Sequence, residues 1–313
     1  AGGEGERRRS GCKAMRQRLE KRAAVDCLVA DGGMGTQLQA RGLVPGECPE
    51  RWCLERPEQV RAVHAAYREA GSLIVETNTF GGSRYKLAHY GLSERVAEIN
   101  RAGAALARDV AGDSQYVMAS LGPTGLFMEP YGDETEANFY AAFAEQARAF
   151  EAGGADAVIV ETMMAIEECC VAVRAVRETT GLTCLAIFMF EPQPDGGFAS
   201  MMGVTPEQFA QQALAAGAHI IGANCGTGPD AMVTVIRRLR AVSQVPLIAM
   251  PNAGMPTLEN GETVFRETPQ EMAGKVAALV AAGASIIGGC CGTTPAHIAA
   301  MARAVQAVRQ TGK

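Results

Sequence analysis

One pattern recurs along this chain. A helix ends in small residues, a Gly-Ala or Gly-Ser turn follows, and then a short apolar run begins. REAGSLIVETNTF (68–80), EAGGADAVIVETM (151–163), LAAGAHIIGANC (214–225) and VAAGASIIGGCC (280–291) all obey it. Glycine at the helix end supplies a left-handed cap. The apolar runs show no polar alternation, so each reads as a strand buried on both faces, as in a parallel sheet. Extending the pattern predicts strands over about 27–31, 72–77, 115–121, 155–161, 183–190, 218–224, 246–251 and 284–289. Amphipathic helices are predicted over about 58–70, 94–111, 135–152, 165–179, 206–216, 229–241, 268–282 and 296–309. Thr205-Pro206, Thr268-Pro269 and Thr294-Pro295 each pair an N-cap residue with proline at the first helical position. Strict alternation, eight times over, argues for a single α/β domain built as a (β/α)8 barrel. A doubly wound open sheet is the alternative.

The chain of 313 residues, 48% hydrophobic and 20% charged, is enough for one large core. Its net charge of −5 provides no basic field for nucleic acid. The one basic cluster (Arg7, Arg8, Arg9, Lys13, Arg16, Arg18, Lys21, Arg22) reads as a solvated tail. The expected division is therefore a basic N-terminal extension and lead-in over 1–22 and a barrel over 23–313. Within the first part, residues 1–14 are expected to precede an ordinary protein start at Met15. No apolar run is long enough to span a bilayer and no signal peptide is visible. Ten cysteines without regular spacing suggest a reducing cytoplasm, where paired thiols more often mean metal or chemistry than disulfides.

In a (β/α)8 barrel the chemistry gathers where strands end and the following loops begin. Those ends read Asp31-Gly32-Gly33, Glu76-Thr77-Asn78, the turn Gly122-Pro123-Thr124-Gly125, Glu161-Thr162, Glu191, Asn224-Cys225-Gly226, Pro251-Asn252-Ala253-Gly254 and Gly289-Cys290-Cys291-Gly292. Cys225 ends the sixth predicted strand and Cys290-Cys291 the eighth, so barrel curvature can gather three sulfurs above the mouth. Three soft thiolates suit zinc, and three protein ligands leave one position open, as in catalytic zinc sites. Adjacent residues of a regular strand point to opposite faces, so Gly288, Gly289 and Gly292 are expected to break the strand and let both thiols turn inward. Cys27, Cys169, Cys170 and Cys184 read instead as core residues. His64, His89, His219 and His297 suit surface or packing roles, and Met163, Met164, Met201 and Met202 suit gap-filling. A zinc with three thiolates is a poor acid toward water but ionises an incoming thiol. The chemistry this predicts is alkyl transfer to a substrate thiolate.

These residues carry a resemblance. DGGMGTQL (31–38), VETNTFGG (75–82), GANCGTGP (222–229), MPNAGMP (250–256) and GGCCGTTPAHI (288–298) resemble the homocysteine S-methyltransferase family, in the right order from about Leu28 to Val308. PNAGMPTLENGETVF (251–265) makes the chain most similar to the homocysteine-binding module of cobalamin-dependent methionine synthase. The resemblance implies a TIM barrel with a zinc site at the C-terminal face of the strands. It implies Cys225, Cys290 and Cys291 as zinc ligands and as the catalytic centre. Asp31 and Glu161 would hold the homocysteine amino group, Gly32 and Thr36 would bind substrate, and Asn252 would be a displaceable fourth ligand. The 122–125 turn would offer N–H groups to the substrate carboxylate, while for Glu76 and Asn78 functional and structural roles balance.

The implied reaction methylates homocysteine, held as a zinc thiolate, to methionine. The methyl donor would be methylcobalamin on another domain or protein, and a folate-binding domain is a further implied partner. Two other readings stay open: a homocysteine methyltransferase using S-methylmethionine, betaine or another sulfonium donor, and a non-catalytic zinc- or thiol-binding protein. The chain holds one barrel, which leaves open an excised module or a stand-alone enzyme. No nucleic-acid or membrane partner is expected, and the expected compartment is the cytoplasm.

Overall fold

The all-apolar runs form one parallel sheet. The computed structural model describes residues 16–226, 228–259 and 262–311. The expected extension over 1–14 and the expected start at Met15 therefore lie outside the described residues. The barrel strands are β1 (Leu28–Val29), β2 (Ile74–Glu76), β3 (Tyr116–Leu121), β4 (Ala157–Met163), β5 (Thr183–Phe188), β6 (Ile220–Asn224), β7 (Leu247–Met250) and β8 (Ala284–Ile287). From β2 to β8 each pairs in parallel with the next, and β8 pairs with β1. A parallel bridge between Ala30 and Ile74, with Leu73 N–H donating to Val29 O at 2.7 Å, closes the ring between β1 and β2. That closure settles the barrel over the open sheet.

The eight outer helices are α1 (Pro57–Glu69), α2 (Val96–Ala111), α3 (Glu136–Ala152), α4 (Ile166–Thr179), α5 (Pro206–Ala215), α6 (Pro229–Val242), α7 (Pro269–Ala282) and α8 (Pro295–Thr311). Each packs on the next and α8 packs on α1, so the helix layer closes too. The predicted starts are present: Thr205 and Thr268 form reciprocal capping boxes with Gln208 and Glu271. At α8, His297 Nδ1 accepts from Thr294 N–H at 3.2 Å, the same reach-back made by a histidine.

Alternation along the strands divides the core in two. Leu28, Ile74, Ile159, Leu185, Ile248 and Ile286 fill the barrel interior, while Val29, Val75, Val158, Ala186, Ala249 and Ile287 face the helices. Leu19 and Ala23, on the short helix Leu19–Ala23, join the interior cluster. This segment of the basic lead-in is tied down: Arg16 pairs with Asp156 at 3.1 Å, Arg18 donates to Gly181 O at 2.9 Å, and Tyr116 OH donates to Gln17 O at 2.8 Å.

Gly222 sits opposite Ile248 in the β6–β7 ladder, and a Cβ there would lie 1.9 Å from Ile248 O. The backbone carbonyl cannot move aside without breaking the ladder. Gly222→Ala is therefore expected to cost about 3 kcal/mol of stability, read by urea unfolding, through overpacking. An unchanged midpoint would show that the two strands can part.

Among the described residues every cysteine is free, and no helix is long and apolar enough to cross a membrane. Cys169 and Cys184 are fully buried and Cys27 and Cys170 half-buried. His64 is buried in α1, His89 is exposed, His219 Nδ1 accepts from Cys184 N–H, and His297 Nε2 bonds Glu267 O.

Two expectations fail. The fifth strand stops at Phe188, and Glu191 lies beyond it in an exposed hairpin, Glu191–Pro192 with Phe198–Ala199, rather than at the strand end. Of the methionines expected to fill gaps, Met163 does sit in the core, but Met201 and Met202 are exposed on the loop after that hairpin.

Candidate active site

Three sulfurs meet at the mouth. Cys225, Cys290 and Cys291 offer Sγ atoms that all lie within 4.8 Å of one another. Each arrives by a break in the chain. Cys225 follows the last residue of β6 in the left-handed region, at φ 50°, a strained conformation for a residue with a Cβ. Beyond β8, Cys290 N–H donates to Pro251 O at 2.9 Å and Cys291 N–H to Asn252 Oδ1 at 3.1 Å. Thr293 N–H then donates to Cys290 O at 3.2 Å, so residues 290–293 form a turn. Gly292 supplies that turn at φ 78°. Gly288 and Gly289 serve space rather than freedom: a Cβ would stand 2.9 Å from Asp31 O in the first and 2.5 Å from Thr293 in the second.

The sulfur chemistry fits a soft metal. Sulfurs on a tetrahedral zinc with bonds of about 2.3 Å stand ~3.8 Å apart. The cluster spans that spacing, with one edge, Cys225 to Cys290, tighter at 2.7 Å. Hydrogen bonds from the Cys225 and Cys290 thiols hold the Cys291 thiol far below its ordinary value. Bonding with Cys225 and Cys291, together with burial, pushes Cys290 up. Three thiols at one point do not ionise together without a cation.

Beside the sulfurs lies a cavity of about 280 Å³. Its walls include Gly32, Thr36, Glu76, Glu161, Met250 and the three cysteines. Carboxylates form its acidic side. Glu161 is buried, accepts from Ser120 Oγ, and interacts with the Glu76 carboxyl. Asp31 is not itself a wall; its Oδ2 accepts from Glu76 N–H at 2.8 Å. Burial first, and then the charge of Glu161, push the Glu76 and Asp31 carboxyls well above the usual range; burial raises Glu161 as well. Asp31 Oδ1 and Glu76 Oε2 are buried without a hydrogen-bond partner. Orphaned carboxylate oxygens beside a cavity call for a donor from a ligand, and a cationic one suits them best.

Known proteins are similar to this chain in sequence and in fold. The family model for homocysteine S-methyltransferase matches residues 28–305. The chain belongs to the homocysteine S-methyltransferase family. Methionine synthase of Mycobacterium tuberculosis is 35% identical over 297 residues, 90% of this chain and 25% of that protein. Methionine synthase of Mycobacterium leprae is 33% identical over 293 residues, 89% of this chain and 24% of that protein. The chain thus spans about a quarter of the length of these relatives. Among solved structures, the metallated form of the homocysteine methyltransferase MmuM from Escherichia coli superposes with a TM-score of 0.75 at 23% identity. That match covers 89% of this chain and 96% of MmuM, and it shows the shared fold.

With the family established, the residues marked by resemblance can be placed. Gly32, Thr36 and Glu161 reach the cavity wall, and Thr36 Oγ1 donates to Gly33 O at 3.4 Å. Asn252 is buried, and its Oδ1 accepts from Cys291 N–H. Glu76 proves to be a wall residue, whereas Asn78 donates to Pro49 O at 2.7 Å and takes a structural part. In the 122–125 turn two N–H groups are already taken. Its Gly122 N–H donates to Phe80 O and its Thr124 N–H to Glu168 Oε1, so neither is free for a substrate carboxylate. Asn224, noted in the sequence only as a strand end, contacts both the acidic wall and the sulfurs.

Proposed function

We propose that this chain methylates the sulfur of homocysteine to give methionine, with methylcobalamin on another domain or protein as the donor. The observation that carries the reading is the juxtaposition of three cysteine sulfurs with orphaned buried carboxylate oxygens around one cavity of amino-acid size. An amino thiol is the ligand with a cation at one end and a sulfur at the other.

Glu161 and Glu76, with Asp31 behind them, take the substrate ammonium. Its charge offsets their mutual repulsion and lets them ionise. Cys225, Cys290 and Cys291 would hold zinc, and Asn252 Oδ1, a carbonyl oxygen with two lone pairs, would be the displaceable fourth donor. Zinc held there would supply the ionisation of the substrate thiol, releasing a proton. Met250 and Phe80 give the cavity apolar wall, which keeps water from the substrate chain. The transfer forms a carbon–sulfur bond to the substrate sulfur as the donor's bond to the methyl carbon breaks.

The donor reading draws on the rim. Leu126, Phe127, Tyr131, Met201, Met202 and Met255 are large apolar residues exposed on loops that follow barrel strands. Exposed apolar surface around a mouth fits a face covered by another body. The cavity is too small for a corrin ring, so such a donor has to arrive from outside. The methionine synthases that the chain matches extend well beyond it, which supports the same reading.

Zinc-loaded protein incubated separately with homocysteine and methylcobalamin, S-methylmethionine or betaine tests the choice. Methionine is expected with methylcobalamin. Product with S-methylmethionine or betaine alone would replace the donor. Bound zinc with no methylated product from any donor would favour a zinc- or thiol-binding role.

A further inference from the structure

We infer that Asn224 is a positioning residue that sets the span between the two ends of the substrate cavity and so selects amino thiols by chain length. The inference rests on the homocysteine reading above. Asn224 ends β6 and is 1% exposed. Its Oδ1 accepts from Thr162 N–H at 3.2 Å, and its Nδ2 donates to Thr162 Oγ1 at 2.8 Å. The same Nδ2 lies 3.4 Å from Glu161 Oε2, 3.6 Å from Cys225 Sγ and 3.8 Å from Cys290 Sγ. A carboxamide has two N–H groups. One serves Thr162, and the other faces the carboxylate and the two sulfurs.

One buried side chain therefore touches both features that an amino thiol must bridge. Thr162 belongs to β4 and Asn224 to β6, with β5 between them in the sheet, so the amide fastens strand ends that share no ladder. The residues on either side of this fastening, Thr162 at φ 56° and Cys225 at φ 50°, are the non-glycine residues with positive φ among those described. Such conformations persist only where surrounding contacts over-determine them. Glu161 precedes the first and Asn224 the second, so the clamp holds the carboxylate and the sulfur in one fixed relation. A ligand with its ammonium at Glu161 and its sulfur at the cysteines must match that span. Homocysteine and cysteine differ there by one methylene.

The test is calorimetric titration of zinc-loaded protein with homocysteine and with cysteine, zinc being quantified in each sample. Wild type is expected to prefer homocysteine by at least about 10-fold, the lower end of what one methylene discriminates. Asn224→Ala is expected to keep its zinc and lose most of that preference, chiefly by weaker homocysteine binding. Asn224→Asp keeps the acceptor for Thr162 N–H and is expected to retain more of the preference than Asn224→Ala. A preference unchanged within about twofold in a zinc-replete Asn224→Ala protein overturns the inference. So does equal loss of zinc from both variants, because Asn224 would then support the metal ligands alone. Wild type that binds neither thiol removes the homocysteine reading, and this inference falls with it.

Discussion

Cys290→Ala is expected to lose zinc and methyl transfer together while the barrel stays folded. Altering residues that merely orient metal ligands weakens affinity by about 10–100-fold, so removing a ligand should exceed that range. Cys290 lies beyond β8, in a turn above the core, so the strands do not depend on it. Zinc content by atomic emission, circular dichroism and methionine formation, measured on one preparation, give the answer. Full metal content in the variant would remove the premise of the site. Cys170→Ala is the matched control. It breaks the other adjacent cysteine pair, which lies inside α4, and should leave zinc and activity intact.

Glu76→Gln is expected to strengthen the free protein and weaken its grip on substrate. Burial, then the charges of Glu161 and Asp31, raise the Glu76 carboxyl above its ordinary value of 4.5. The native state therefore keeps a proton that the unfolded chain has lost. Below the unfolded value both states are protonated and nothing is at stake. As pH rises from there toward the native value, stability falls, and above the native value the penalty is complete. Glutamine removes the penalty. The variant should match wild type near about pH 4 and gain about 1–3 kcal/mol near pH 8, the size of the cost of a buried polar group left without partners. The same change removes a charged acceptor for the substrate ammonium, which costs roughly 10–100-fold in homocysteine affinity. Thermal unfolding across pH and the KM for homocysteine measure the two effects. A variant that loses stability at high pH, or leaves KM unchanged, would show that the carboxyl is structural.

The barrel was legible because its signals are local. Apolar runs without alternation, Thr-Pro helix starts and glycine helix ends each depend on a few neighbouring residues, and the structure reproduces all eight strand–helix units among the described residues. The convergence of the cysteines was legible for a related reason. A cysteine at a strand end is at the mouth whichever barrel forms, and Cys225, Cys290 and Cys291 do converge. Cys169 and Cys170 show how the same dipeptide reads differently inside a helix, without glycines beside it.

The failures around the mouth concern where a strand stops and which way its last residues turn. Glu191 does not end a barrel strand because β5 ends three residues earlier and the chain leaves in a hairpin. The N–H groups of Gly122 and Thr124 were claimed by Phe80 and by Glu168, partners distant in sequence. Glu76 was ambiguous because its role depends on Glu161 and Asp31, which come from other strands.

By itself, then, the sequence determined the element types, their order and the α/β alternation, since each follows from local backbone preference or side-chain type. Tertiary structure alone decided that three carboxyls crowd together, that two of their oxygens lack partners, and that Asn224 joins the acidic wall to the sulfurs. Those facts are distances between different strands. They arise from barrel closure and from two strained residues at strand ends, neither of which a linear pattern of residue types encodes.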